Sequence, residues 1–125
     1  MHNLKEYTIL VVDDDEDLRE IMTLILKGAG LNVLSANSGI EALEVIKLSK
    51  IDLVVSDIRM PNGDGLYLLD KVRENDPKSP VVIFVTGYSD ISESEILARG
   101  ATKLITKPFD RNLLIETVRS ALEAL

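Results

Sequence analysis

Five short hydrophobic runs are spaced along the chain, and each is followed by a segment with the sequence signals of a helix. The runs are rich in valine, isoleucine and leucine, a composition that favours β-strands. They occupy residues 7–12, 31–36, 53–56, 81–85 and 102–105. The run at 81–85 is the most hydrophobic, and it predicts a central strand that is buried on both faces and ends at Thr86 and Gly87.

Glycines and a capping pattern mark the limits of the first two helices. The first helix carries apolar residues at positions i, i+3, i+4 and i+7, and it stops at Gly28 and Gly30. The four apolar residues are Leu18, Ile21, Met22 and Ile25. Ser38 and Glu41 have the spacing of a capping box, which predicts a second helix that runs through about Leu48.

The third and fifth helices have similar signals at their ends. A turn-rich loop at 60–65 precedes the third helix, which ends at 75–77, because a proline there disfavours helical backbone before it. The fifth helix starts after Asp110, a residue type common at N-caps, and it shows one apolar stripe. The members of that stripe are Leu114, Val118, Ala121, Leu122 and Leu125.

The segment between the fourth and fifth strands gives the weakest helical pattern of the chain. Asp90 and Glu93 are candidate caps for a helix that closes at Gly100. Its apolar and polar residues are poorly separated into two faces, so little hydrophobic surface would hold it against a sheet. We therefore expect the fourth helix to be the least firmly held element of the fold.

Strands that alternate with helices predict an α/β fold with one doubly wound, five-stranded parallel sheet, a (βα)5 arrangement with helices on both faces. The 125 residues suit a single domain, and no linker, repeat or low-complexity segment divides them. Functional residues of such folds lie at the carboxyl ends of the strands. Five polar residues follow those ends and should meet at one edge of the sheet. They are Asp13, Asp14, Asp57, Thr86 and Lys107.

Composition narrows the functions that are open to this domain. The formal net charge is −7, with two Phe, three Tyr and no Trp, so we expect no direct binding of nucleic acid. The chain has no Cys, which excludes disulfides and thiolate metal sites. No apolar run approaches the ~20 residues that cross a membrane, and the start lacks the apolar region of a signal peptide. We expect a cytoplasmic domain without membrane contact.

The acidic residues of the expected edge point to metal-assisted phosphoryl transfer. Clustered carboxylates repel one another and are tolerated when a cation or a proton compensates. Oxygen ligands without His or Cys favour a hard cation, and Mg²⁺ suits a few carboxylates completed by water and phosphate. Lys107 offers a positive charge for a phosphoryl oxygen, and Thr86 offers a hydroxyl donor. Asp57 is then the nucleophile that forms an acyl phosphate.

Four short motifs carry a resemblance that covers essentially the whole chain. They are Val11-Val12-Asp13-Asp14, Asp57-Ile58-Arg59-Met60-Pro61, Thr86-Gly87 and Lys107-Pro108-Phe109. In this order and spacing the sequence resembles the receiver domain of two-component response regulators, the chemotaxis regulators among them. The resemblance implies a flavodoxin-like fold with strand order 2-1-3-4-5, and it assigns residues 1–125 to one receiver domain.

The resemblance also implies a phosphoryl donor and a metal site. A sensor histidine kinase or a histidine phosphotransfer protein would donate a phosphoryl group from histidine to Asp57. Mg²⁺ would be held by Asp14, Asp57 and the backbone carbonyl of Arg59. Asp13 would belong to the same metal site and act largely through a metal-bound water.

Signalling would follow from the phosphoryl group. By the same resemblance Thr86 would move to bond it, Lys107 would pair with it, and the Lys107–Pro108 peptide bond is expected to be cis. Phosphorylation would shift an existing equilibrium between inactive and active conformations and so control an output protein or domain. The domain would catalyse its own phosphorylation and dephosphorylation without being a turnover enzyme. Phosphorylation-dependent dimerisation through the fourth and fifth helices and the last strand is common in such domains.

One position departs from the pattern of this family. Three residues before Lys107 the family usually carries Tyr or Phe as a rotameric switch, whereas this chain has Leu104. The usual aromatic readout is therefore not expected, although the loop and helix after Thr86 can still shift. Arg59 and Tyr88 flank the expected entrance to the site, and by resemblance they tune the rate at which water removes the phosphoryl group.

Three other functions are compatible with parts of the pattern. The stretch Val11-Val12-Asp13-x-Asp15 resembles the start of haloacid-dehalogenase-like phosphatases, but Asp17 stands where Thr or Val is expected and the chain leaves no room for a cap domain. A binding module regulated by protein contacts alone would not need a repulsive acidic cluster. A flavodoxin-like flavin binder would need donors for the flavin phosphate where this chain is acidic. The receiver-domain interpretation is therefore favoured.

Overall fold

The computed structural model describes residues 6–87 and 91–125, and within them five strands alternate with five helices. The strands are β1 (Thr8–Val12), β2 (Asn32–Ala36), β3 (Leu53–Ser56), β4 (Val81–Thr86) and β5 (Lys103–Thr106). The helices are α1 (Glu16–Gly28), α2 (Gly39–Leu48), α3 (Gly65–Asn75), α4 (Glu93–Ala98) and α5 (Arg111–Glu123). None of these helices has the length and apolar character needed to cross a membrane. The order of elements predicted from the hydrophobic pattern is confirmed.

All five strands form one parallel sheet in the order β2-β1-β3-β4-β5, which is the order that the resemblance implied. β1 therefore lies between β2 and β3, and its last residue, Val12, is opposite Ala36 on one side and Ser56 on the other. Since β1 and β3 end at the same level, the residues that follow them, Asp13 and Asp57, become neighbours. The strand order thus brings together two acids that are far apart in sequence.

The sheet is buried between two layers of helices. Successive strand residues face opposite sides, so Leu10 packs in a hydrophobic cluster with residues of α2, α3 and α4, whereas Ile9 packs in a second cluster with residues of α1 and α5. All six residues of the internal strand β4 are buried, which confirms the prediction of a strand covered on both faces. The apolar faces of the helices cover the two faces of the sheet.

Each helix begins after a residue whose side chain accepts a hydrogen bond from a backbone N–H of the first turn. These N-cap residues are Asp15, Ser38, Asp64, Ser92 and Asp110. The prediction for the cap of α4 was wrong for Glu93, which is the first helical residue. The hydroxyl of Ser92 is the cap, because it accepts the N–H of Glu95 at 3.2 Å. Asp90, the other candidate, lies outside the described residues.

Several strand boundaries differ from those predicted. β4 ends at Thr86 as predicted, whereas β5 extends one residue beyond its hydrophobic run to Thr106, which stays in register with Thr86. β1, β2 and β5 each begin one residue later than their runs.

α4 is the shortest of the described helices and has one buried residue, Ile96. That α4 is the least firmly held element of the fold stays a prediction. The Lys107–Pro108 bond is cis as expected, and a second cis bond, Ser79–Pro80, was not foreseen.

A guanidinium joins two loops at the edge of the sheet where the strands begin. Arg73, near the end of α3, donates through Nε to the carbonyl of Gly100 at 2.9 Å and through Nη2 to the carbonyl of Pro80 at 2.8 Å. A longer bond of 3.4 Å joins its Nη1 to the carbonyl of Asp76. Gly100 has a φ of +108°, a conformation that glycine adopts readily. It also packs on the aliphatic part of Arg73, where a Cβ would be crowded. One side chain therefore holds the segments that lead into β4 and β5.

Candidate functional site

Two aspartates lie side by side where β1 and β3 end. The backbone N–H of Asp13 donates to the carbonyl of Ala36 at 3.2 Å, and that of Asp57 donates to the carbonyl of Val12 at 3.0 Å. These bonds extend the ladder of the sheet by one residue beyond each strand. Asp13 is completely buried and Asp57 is 6% exposed. Both side chains therefore start from backbone that is held like a strand.

A third carboxylate completes a cluster. Asp14 is exposed, and one carboxylate oxygen from each of Asp13, Asp14 and Asp57 lies within 4.8 Å of the other two. Across residues 6–87 and 91–125, this is the one group of three or more His, Cys, Asp or Glu residues that is close enough to share a metal ion. The structure thus brings together the three aspartates that the strand ends indicated.

Lys107 contacts two of these carboxylates. Its Nζ lies 3.0 Å from Oδ2 of Asp57 and 3.5 Å from Oδ2 of Asp13. The other oxygen of each carboxylate accepts a backbone N–H, from Ile58 to Asp57 Oδ1 at 2.7 Å and from Asp15 to Asp13 Oδ1 at 2.9 Å. Each carboxylate is thus oriented with one oxygen on the backbone and the other on the ammonium group.

The environment of the site shifts two pKa values. Burial raises the pKa of the Asp13 carboxyl, and the charge of Asp57 adds to the rise, although the N–H of Asp15 and the ammonium of Lys107 oppose it. Burial by itself lowers the pKa of Lys107, but the hydrogen bond to Asp57 and the charge of Asp13 outweigh it, so the pKa of Lys107 lies above its usual value. Lys107 is therefore charged at neutral pH, whereas the burial of Asp13 makes its ionisation less favourable than in water.

We expect Asp13→Asn to stabilise the metal-free domain at neutral pH by about 1 kcal/mol, the usual scale of a single substitution. Because the folded-state pKa of Asp13 is raised, the native state binds this proton more tightly than the unfolded state does. The resulting stability is present below the unfolded pKa of about 3.9 and is lost as the pH rises through the folded pKa. Asparagine keeps an oxygen for the N–H of Asp15 and carries no charge.

The measurement is urea unfolding followed by circular dichroism in the presence of a chelator, from pH 4 to pH 7 as the experimental range. The stability of the wild type should fall with rising pH by more than that of Asp13→Asn. Asp14→Asn is the control, since Asp14 is exposed and its stability effect should stay within about 0.5 kcal/mol. An Asp13→Asn domain less stable than the wild type at pH 7 would contradict the prediction.

Thr86 and Lys107 belong to the same edge and are joined through the backbone. Thr86 is the last residue of β4, is 1% exposed, and accepts the backbone N–H of Lys107 on its carbonyl at 2.8 Å. The turn after β5 is therefore attached to the end of β4, and Lys107 reaches the aspartates from that attachment. Arg59 is exposed in the loop after β3, and Leu104 is half-buried. Tyr88 lies outside the described residues.

The start of α3 supports the backbone of Asp57 through Gly65, a glycine whose position in the sequence indicates only a turn. The N–H of Gly65 donates to the carbonyl of Ile58 at 2.7 Å. A Cβ at Gly65 would collide with the carbonyl oxygen of Asp57 and would lie 2.7 Å from Cε1 of Phe84. Glycine at the first helical position was the available signal, because it leaves room for close backbone contact.

The N-terminus of α2 holds the loop that follows β3. The N–H groups of Gly39 and Ile40 donate to the carbonyls of Gly63 at 2.7 Å and Asn62 at 3.2 Å. A Cβ at Gly39 would lie 2.5 Å from the carbonyl oxygen of Gly63. Asn62 and Gly63 have φ angles of +61° and +93°, a conformation that these two residue types tolerate best. The loop that contains Arg59 is therefore fixed by contacts with another helix.

Two further side chains bond to the carbonyls of the aspartates. The hydroxyl of Ser56 donates to the carbonyl of Asp57 at 2.7 Å, and Nη1 of Arg19 donates to the carbonyl of Asp13 at 2.8 Å. Both residues were missed by sequence reasoning. Ser56 looked like the last residue of a buried strand, and Arg19 like a polar residue of an amphipathic helix, so neither position carried a signal of its own.

The donor set of the cluster fits a hard divalent cation. All the side-chain atoms that meet are carboxylate oxygens, and no His or Cys belongs to the group. Such oxygens are the ligands preferred by Mg²⁺ and Ca²⁺. A cation would also offset the repulsion between the acids and the burial that raises the pKa of Asp13. The residues present are therefore suited to hold a metal ion together with Lys107 nearby.

The fold and the site define a class of protein, namely an α/β domain of strand order 2-1-3-4-5 with clustered carboxylates at the carboxyl ends of β1 and β3. Comparison with protein families shows which family of that class the chain belongs to. The family model of the response regulator receiver domain matches residues 9–119, so the chain belongs to the response regulator receiver domain family. It is a phosphoacceptor domain of two-component signalling, and the resemblance stated from its motifs is confirmed.

Similar curated proteins are bacterial regulators. The transcriptional regulatory protein GlrR of Escherichia coli K12 is 36% identical over 116 residues, which cover 92% of this chain and 26% of that protein. The C4-dicarboxylate transport transcriptional regulatory protein DctD of Rhizobium meliloti is 39% identical, over 93% of this chain and 25% of that protein. ZraR of E. coli K12 is 41% identical, over 91% and 26%. The chain spans about a quarter of the length of these relatives.

Solved structures share the fold over nearly the whole of both chains. A CheY-like receiver domain protein from Methanospirillum hungatei has a TM-score of 0.87 at 32% identity, with 94% of each chain covered. The receiver domain of NtrX from Brucella abortus has a TM-score of 0.87 at 34% identity, over 94% of this chain and 99% of that one. TrrA from Thermotoga maritima, solved with Mg²⁺ and BeF, has a TM-score of 0.82 at 32% identity, over 91% and 97%.

Proposed function

We propose that Asp57 accepts a phosphoryl group from a phosphohistidine donor with the help of Mg²⁺, and that the domain then changes conformation to control an output partner or domain. The residues proposed to hold Mg²⁺ are Asp13, Asp14, Asp57 and, through its backbone carbonyl, Arg59. The observation that carries the proposal is the setting of the Asp57 carboxylate, which lies 3.0 Å from Lys107 within a cluster of three acids. A nucleophile, a cation and a metal site are the parts that phosphoryl transfer needs.

In the transfer step a carboxylate oxygen of Asp57 attacks the phosphorus of phosphohistidine. A P–O bond forms while the P–N bond breaks, and the electron pair of the broken bond stays on the imidazole nitrogen, which takes up a proton. Oδ2 of Asp57 would make this attack when Lys107 moves its contact from Oδ2 to a phosphoryl oxygen, because Oδ1 is engaged by the N–H of Ile58. Mg²⁺, when bound, would neutralise charge on the carboxylates and on the phosphoryl oxygens.

Two residues would stabilise the phosphorylated state. Lys107, whose raised pKa keeps it charged, would transfer its contact from Asp57 Oδ2 to a phosphoryl oxygen. Thr86 would bring its hydroxyl to another phosphoryl oxygen from the end of β4. A preference for one conformation of the domain by about 1–3 kcal/mol would then be enough to change the population that an output partner recognises.

The proposed cycle ends at one phosphoryl group per chain. A phosphohydrolase would release phosphate from an external ester continuously, whereas this domain would be phosphorylated once and then hydrolyse its acyl phosphate slowly. The donor would be a sensor histidine kinase or a histidine phosphotransfer protein. The curated relatives are transcriptional regulators, and this supports the proposal that the domain controls an output domain or protein. Phosphorylation-dependent pairing of two copies through α4, β5 and α5 would be one route from the receiver to that output.

Intact mass spectrometry after incubation with acetyl phosphate tests this function. The expected result is one phosphoryl adduct per chain that forms with Mg²⁺ and does not form with a chelator. Borohydride reduction followed by peptide mapping should place the acyl phosphate at Asp57. Absence of any adduct in Mg²⁺, or continuous release of phosphate from an aryl phosphate ester, would overturn the proposal.

A further inference from the structure

Arg19 reaches from α1 to the loop that carries the acidic cluster. It lies in the second turn of the helix, its own N–H donates to the carbonyl of Asp15 at 2.9 Å, and its side chain is half-buried. The guanidinium extends back past the helix cap and donates through Nη1 to the carbonyl of Asp13 at 2.8 Å. An arginine of α1 therefore contacts the backbone between two of the three clustered acids.

The carbonyl of Asp13 depends on this donor because the sheet ends beside it. The register of β1 with β2 stops at Val12 and Ala36, and the N–H of Asp13 is bonded to that last residue of β2. The next residues of β2 leave for the cap of α2, and within residues 6–87 and 91–125 no backbone N–H is bonded to the carbonyl of Asp13. Arg19 supplies the missing donor. A buried carbonyl without one would cost about 1–3 kcal/mol.

The orientation of Asp14 depends on the same carbonyl. Asp14 is exposed, and within residues 6–87 and 91–125 no donor is bonded to its carboxylate, unlike those of Asp13 and Asp57. No side-chain hydrogen bond among these residues therefore holds the Asp14 carboxylate in the cluster, and its place there depends on the backbone that joins Asp14 to Asp13. The peptide unit between them contains the carbonyl bonded to Arg19. Loss of this bond would let the peptide rotate and would move the Asp14 carboxylate away from the cluster.

We propose that Arg19 is a positioning residue for divalent cation binding, which it favours by fixing the peptide between Asp13 and Asp14. This inference rests on the proposed role of the acidic cluster in binding Mg²⁺. Residues that orient metal ligands typically change metal affinity by about 10–100-fold when they are removed. Arg19 contacts the backbone of a ligand and does not contact the metal, so its effect should appear in binding more than in the transfer step.

The charge of Arg19 makes the sign of its effect informative. A positive group near the cluster repels Mg²⁺, so removal of the charge alone should tighten binding. Loss of the hydrogen bond to the carbonyl of Asp13 should weaken binding. The two causes act in opposite directions, and we expect the loss of orientation to be the larger because the carbonyl contact is direct at 2.8 Å.

Titration calorimetry with Mg²⁺ on the purified domain measures the effect. Arg19→Met, which removes the charge and the donor, should raise the dissociation constant about 10-fold. Arg19→Lys, which keeps the charge and a donor, should restore most of the affinity. Arg119→Met is the matched control, because Arg119 lies on α5 and pairs with Glu116, so the same change in net charge should alter the dissociation constant by less than about 2-fold.

A second readout separates positioning from damage to the fold. With acetyl phosphate as donor, Arg19→Met should need about 10-fold more Mg²⁺ for half-maximal rate and should approach the wild-type rate at saturating Mg²⁺. Binding of Mg²⁺ to Arg19→Met as tight as to the wild type, or tighter, would overturn the inference. So would a lower maximal rate with an unchanged Mg²⁺ requirement. Failure of the wild type itself to bind Mg²⁺ would instead overturn the proposed function.

Discussion

Asp57→Asn is expected to abolish phosphorylation of the domain while leaving it folded. The substitution replaces the attacking carboxylate oxygen with a poor nucleophile of the same shape. Asparagine can still accept the N–H of Ile58, which Asp57 Oδ1 accepts at 2.7 Å, and Lys107 keeps its contact with Asp13 at 3.5 Å. Intact mass after acetyl phosphate in Mg²⁺ should therefore show no adduct, and circular dichroism should match that of the wild type.

Asp70→Asn is a suitable control for that experiment. Asp70 is an exposed carboxylate on α3 whose partner is Arg99, at 2.6 Å, and it takes no part in the acidic cluster. It should accumulate the adduct at the wild-type rate, since an exposed ion pair of this kind contributes at most about 1 kcal/mol to stability. If Asp57→Asn were labelled to the same stoichiometry as this control, another residue would be the phosphoacceptor.

Gly65→Ala should destabilise the domain by about 3 kcal/mol, which is a large effect for the addition of one methyl group. Alanine is the better helix former by about 1 kcal/mol, so the backbone preference of the helix opposes this result. Steric overlap is the larger effect on stability, because the new methyl group would collide with the carbonyl oxygen of Asp57 and lie 2.9 Å from Cα of Ile58. Both are backbone atoms of the site loop, so relief of the overlap would displace Asp57 and slow phosphorylation.

Gly28→Ala isolates the contribution of helix preference. Gly28 ends α1, and a methyl group added to it would have no neighbouring atom within 4 Å, so alanine there should be neutral or stabilising by up to about 1 kcal/mol. Urea unfolding of the two variants beside the wild type gives the comparison. Equal stability of Gly65→Ala and Gly28→Ala would contradict the prediction, because it would show that the backbone after Asp57 moves to accommodate the methyl group at little cost in stability.

Hydrophobic patterning was sufficient for the parts of the fold that depend on local sequence. The valine- and isoleucine-rich runs gave the five strands, and parallel pairing then required that residues after the strand ends meet at one edge. Asp13, Asp14, Asp57 and Lys107 meet there. The end of β5 lies one residue beyond its predicted end, because the pairing of Thr106 with Thr86 in the sheet continues after the hydrophobic run stops.

The supporting contacts of the site could not be predicted, because they depend on distances between segments that are remote in sequence. Gly65 looks like a turn residue until the backbone of Asp57 is found against it. Arg19 looks like one of several charged residues on α1 until its guanidinium is found on the carbonyl of Asp13. The cap of α4 was assigned to the acids, although the nearby hydroxyl of Ser92 fills that role. Residue type alone does not distinguish these cases.

Lys107 and Arg73 are partly buried cations that lie at opposite edges of the sheet and differ in what they bind. Lys107 contacts carboxylates, whose charge changes when a proton, a metal ion or a phosphoryl group arrives. Arg73 contacts the neutral carbonyls of Gly100, Pro80 and Asp76, which carry the same partial charge in every state. The contacts that hold the amino ends of β4 and β5 therefore do not depend on the charge of the acidic cluster. A change of charge at the site can therefore alter the contacts of Lys107 at the carboxyl ends of the strands, while the contacts of Arg73 at the amino ends keep their geometry.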